Sequence, residues 1–155
     1  MTIQYSGAPI SIGRPALQVA LAGDPEATAL PVIVRRPTLR DAQRARSLLR
    51  TGARDTANYV VALEIEVVIA ADAASARAVA GTHAEPTAHA GREVGDRVGE
   101  TVRYIGTPSG LISLIRDVYA AEVADAVLIV PLDGSATTAL VRENVLPRFG
   151  VQSAA

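Results

Sequence analysis

At 155 residues, 49% of them apolar and 20% charged, the chain has the size and composition of one globular domain with a sizeable core. Its basic residues are all arginine and almost balance its acidic ones, and the formal net charge of −1 gives no electrostatic case for nucleic acid or an anionic membrane. The lack of lysine excludes Schiff-base and P-loop lysine chemistry, and the lack of cysteine excludes disulfides, thiolate nucleophiles and Cys-based zinc sites.

The N-terminus, "MTIQYSGAPISIGRP", has neither a basic n-region nor a long apolar h-region, so no signal peptide is expected. No apolar run approaches the length of a membrane span. The expectation is a soluble cytoplasmic α/β domain. "ALQVALAG" (16–23) then reads as a strand, ended by the turn signal Gly23-Asp24-Pro25. "LPVIVRR" (30–36) is a second strand, closed by Pro37. The link between them is too short for a full helical crossover, so parallel neighbours here would need a trimmed connection.

"PTLRDAQRARSLLR" (37–50) predicts a helix. Thr38 is its N-cap, and Asp41 is placed to complete a capping box. Leu39, Ala42, Ala45 or Arg46, and Leu49 follow helical spacing; Arg40, Arg44 and Arg50 are expected to face water. "NYVVALEIEVVIA" (58–70) is the longest strand. Tyr59, Val61, Leu63, Ile65, Val67 and Ile69 share one face, and Val60, Ala62, Glu64, Glu66 and Val68 the other. Asp72 caps a short alanine-rich helix over 73–80.

Residues 81–101 hold several glycines, a proline and both histidines, which predicts a loop. A helix over 106–124 follows, with Thr107 as N-cap and Pro108 at its first position. Next come an apolar strand over 125–131, a bend at Leu132-Asp133-Gly134 and a closing helix over 135–147. Strands alternating with helices indicate a parallel sheet with right-handed crossovers.

The stretch "YIGTPSGLISLIRDVYAAEVADAVLIVPLDGSATTALVRENVLPRFG" resembles the C-terminal end of the luciferase-like, flavin-dependent monooxygenases: a "GTP" helix start, a "DGFVLVP"-type strand and a "VLPxL"-type closing helix. "LQVALAGD", "VIVRRPTLRDAQ" and "VALEIEVVIAADAASARA" are similar to the family's preceding strands and helices, so the likeness covers residues 15–150. It implies half of a TIM-type (β/α)8 barrel, about four parallel strands with flanking helices, forming a single domain over 1–155. The family's first four strands have no counterpart. In the family a small-residue turn opens a helix that helps hold the flavin phosphate. Here that place reads Gly23-Asp24-Pro25-Glu26, whose carboxylates repel a phosphate.

By the same resemblance, the strand C-terminal ends are where a cofactor, FMN or a deazaflavin, would sit, and Gly23, Asp24, Arg35 and Glu64 are the candidate cofactor-binding residues. An arginine at a strand end binds phosphate or carboxylate, or simply leaves the sheet, and Arg36 shares that choice with Arg35. Glu64 and Glu66 either share a barrel interior, where like charges raise a pKa, or lie on a face that turns toward solvent or pairs with arginines. His83 and His89, with Glu85 and Glu93 nearby, lie in a glycine-rich loop without the rigid placement a metal needs, so no metal is expected. No nucleophile–base pair is apparent.

Half a barrel leaves open sheet edges and an apolar face, including Tyr59, Leu63, Ile65 and the strand at 126–130, that a second chain is expected to cover. The partner is a second copy, forming a homodimer by closing one barrel or stacking two sheets, or a full-length or complementary barrel protein. Two functions follow. The chain is either a truncated, oligomeric relative without catalysis of its own, or an active flavin-dependent subunit whose pocket forms at an oligomer interface.

Overall fold

The structure, a computed structural model, describes residues 13–83 and 101–151, together with the backbone of two short antiparallel strands, β1 (Thr2–Ile3) and β2 (Ile10–Ser11). The main sheet has five parallel strands: β3 (Gln18–Leu21), β4 (Val32–Val34), β5 (Val61–Ile69), β6 (Val102–Gly106) and β7 (Ala126–Pro131). A helix follows each strand: α1 (Pro25–Thr28), α2 (Leu39–Thr51), α3 (Ala73–His83), α4 (Pro108–Ala120) and α5 (Ser135–Leu140). This is the α/β class read from the sequence, a parallel sheet flanked by helices and consistent with half of a TIM-like barrel. It has five strands in place of about four.

The added strand is β6. Its sequence, "VRYIG", is short and follows a glycine-rich stretch, yet it alternates: Val102 and Tyr104 pack on the main core while Arg103 faces the other way. The neighbour relations also differ from chain order. β5 is central, with β7 along one edge. Its other edge is shared by β4, beside Val61–Leu63, and β6, beside Ile65–Ile69. β3 pairs with the far side of β7. So β3 and β4 are not neighbours, and the short link between them carries the single turn α1.

β5 takes the centre because one face is wholly apolar (Val61, Leu63, Ile65, Val67 and Ile69) and the other mixes Ala62 and Val68 with Glu64 and Glu66, whose carboxylates are paired with arginines. Leu63, Ile65, Val67 and Ile69 join Val19, Leu21, Val127 and Ile129 in the larger core, under Leu39 and Ala42 of α2, Leu111, Ile115 and Val118 of α4, and Val141, Val145 and Leu146 beyond α5. Leu63 and Ile65, expected to await a second chain, are fully buried by the chain itself. The opposite face holds a smaller cluster of Ala20, Ala62, Ala126 and Leu128, with Leu30 and with Ala27 of α1 packed on it. α3 packs against β5 and β6. The exposed large apolar side chains on this second face are Ile33 and Ile105.

The predicted caps form. Thr38 Oγ1 accepts from Asp41 N at 3.1 Å, though Asp41 returns its carboxylate to the Thr38 hydroxyl instead of to the backbone. Asp72 accepts from Ser75 N and Oγ, both at 2.8 Å, starting α3. Thr107 accepts from Gly110 N at 3.3 Å, with Pro108 opening α4. The single closing helix expected over 135–147 is instead three pieces: α5, a π-helical turn Val141–Val145 and a 3-10 turn Leu146–Phe149.

Candidate functional site at the strand ends

The candidate residues lie at two ends of the sheet, and the structure separates them by role. At the C-terminal end, β3 runs out through Ala22 and Gly23 to Asp24. Asp24 is the N-cap of α1 but makes no capping bond with its side chain. Its Oδ1 instead accepts from Arg142 at 2.6 Å, across 118 positions of sequence. Arg142 stands in the π-helical turn, whose wider backbone spacing re-aims side chains relative to an α-helix. α1 spans only four residues, so it contributes no developed helix dipole for an anion.

Beyond β4, Arg35 Nε donates to Glu64 Oε2 at 2.8 Å. Arg35 is 62% exposed along its side chain and Glu64 11%, so the guanidinium lies over a carboxylate that points out from a covered strand. One pair further along β5, Glu66 Oε2 accepts from Arg103 Nε at 3.0 Å and Nη2 at 2.9 Å. Among the readings of Glu64 and Glu66, pairing with arginines is therefore the one found. Arg36 donates to the Arg35 carbonyl at 2.7 Å. Asp24, Arg35 and Glu64 thus belong to two separate ion pairs, Asp24 with Arg142 and Arg35 with Glu64, and Gly23 stands in the turn before Asp24.

A third group at this end stands in the Leu132-Asp133-Gly134 bend, which the sequence marks only as a turn. Asp133, in the bend after β7, has a buried Oδ1 without a hydrogen-bond partner, the one such side-chain atom among the described residues. Beside it Thr137, fully buried, accepts from Ile69 N at 3.1 Å and so ties α5 to the end of β5.

At the N-terminal end of the sheet lies the densest electrostatic cluster, which sequence reasoning missed. Asp125 is fully buried. Arg46 donates to it from Nε at 3.2 Å and Nη2 at 2.8 Å, Arg14 from Nε at 3.0 Å, and the Arg50 guanidinium lies 3.6 Å away. The remaining donors cap carbonyls: Arg14 on Ala124, Arg46 on Glu122, Arg50 on Thr56 and Tyr59. Arg14 also stacks 3.7 Å over the Tyr119 ring, and Tyr119 donates to the Pro15 carbonyl at 2.7 Å. Arg50, expected to face water, is thus turned inward. Burial pushes the Asp125 carboxyl up, but the hydrogen bonds from Arg46, Arg14 and the Val61 N–H, with the Arg46 charge, outweigh it and hold it below its ordinary value. This cluster ties distant segments of one chain together: the segment before β3, α2 and the starts of β5 and β7.

Among the described residues no group of three or more acidic or histidine side chains could hold a metal ion. The metal question raised for His83 and His89, with Glu85 and Glu93, concerns side chains outside the described residues. No helix among the described residues is long and apolar enough to cross a membrane. No family model matches the chain, and no curated protein matches it.

Proposed function

We propose that the chain is a non-catalytic relative of the luciferase-like flavin-dependent monooxygenases that serves as a binding or assembly subunit. The family reading rests on the likeness of residues 15–150 quoted above. The observation that carries the non-catalytic reading is the pairing of Asp24 with Arg142 at 2.6 Å and of Arg35 with Glu64 at 2.8 Å. A flavin phosphate needs cationic or N–H donors free to receive it. Here the strand-end guanidiniums already carry carboxylates, and Asp24 adds a negative charge at the turn.

Self-association as a homodimer is part of this reading. β3 forms one edge of the sheet, and β4 with β6 the other. On the second face Ile33, Arg35, Arg103 and Ile105 line the β4–β6 edge, while Glu64 and Glu66 line β5 beside them. The open sheet edges and the exposed Ile33 and Ile105 beside them are the surface a second copy would cover in a two-fold contact.

The test is the purified protein's absorption spectrum together with light scattering. The reading expects no flavin band and a mass near twice the 16.1 kDa of one chain. A co-purifying flavin overturns the non-catalytic reading, and a monomer at micromolar concentration overturns the dimer.

A further inference from the structure

We draw no further inference here: the strongest candidate, the outer edge of the sheet along β4 and β6 with Ile33 and Ile105 exposed beside it, is the surface already assigned to self-association, and nothing in the structure shows what else covers it.

Discussion

Asp125 and Val61 hold each other from both sides: the Val61 N–H donates to Asp125 Oδ2 at 3.2 Å, and the Asp125 N–H donates to the Val61 carbonyl at 2.8 Å. This exchange fixes the register at which β5 and β7 begin. The carboxylate that enters it is the same one that gathers Arg14, Arg46 and Arg50. One buried side chain thereby ties the segment before β3, helix α2 and the two central strands together.

Replacing Asp125 with Asn should therefore be the most damaging single polar substitution. Removing one partner of a buried ion pair costs about 3–5 kcal/mol, a large share of the roughly 5–15 kcal/mol that stabilises a domain. Arg103→Ala breaks the more exposed pair with Glu66 and should cost under about 1 kcal/mol. Urea unfolding of the two variants checks the contrast; equal losses would show that the cluster is not the anchor.

The same carboxylate predicts a pH dependence. Its folded pKa lies below its ordinary value, so the stability it adds is fully present above the unfolded value of about 3.9 and is lost as pH falls through the lower folded value. Unfolding midpoints measured from about pH 7 to about pH 2 should show this loss in the native chain and a smaller loss in Asp125→Asn. Parallel curves would contradict it.

Gly110 leaves room for a neighbour. A β-carbon there would collide with the Tyr104 hydroxyl, which donates to the Thr107 carbonyl at 3.0 Å. Gly110→Ala should lower the melting temperature. Adding Tyr104→Phe, which removes the colliding oxygen, should recover part of the loss. A double-mutant cycle reads the coupling directly.

Thr107→Ala removes the N-cap of α4, whose Leu111, Ile115 and Val118 form much of the larger core. Loss of such a cap costs about 0.5–2 kcal/mol. Thr107→Ser, which keeps the accepting oxygen, should stay near the native midpoint. If both variants unfold alike, the cap is not the cause.

How much of this was legible depended on distance along the chain. β5, β7, α2 and α4 announced themselves because their cues are local: period-two or helical spacing, a capping threonine, a following proline or glycine. β6 was harder, since five residues beside a glycine-rich stretch offer little periodicity. Strand order was not legible at all; nothing within "DPEATAL" says that β3 will pair with β7 instead of β4. The charge clusters failed for the same reason. Arg46 and Asp125 are 79 positions apart, and Asp24 and Arg142 are 118. Helical spacing set Arg50 on the outer side of α2, and only the placement of Asp125 under the helix turned it inward. For Glu64 and Glu66 an arginine partner was among the readings, but which arginine was not legible, because Arg35 and Arg103 reach them only through the strand order.

Arg142 and Arg35 already hold carboxylates of their own chain at the strand ends, Asp24 and Glu64. The most direct measurement is an equilibrium titration of FMN and of a deazaflavin cofactor, followed by quenching of the flavin fluorescence. The account predicts no saturable binding of either at tens of micromolar. Stoichiometric quenching by the native chain would contradict it.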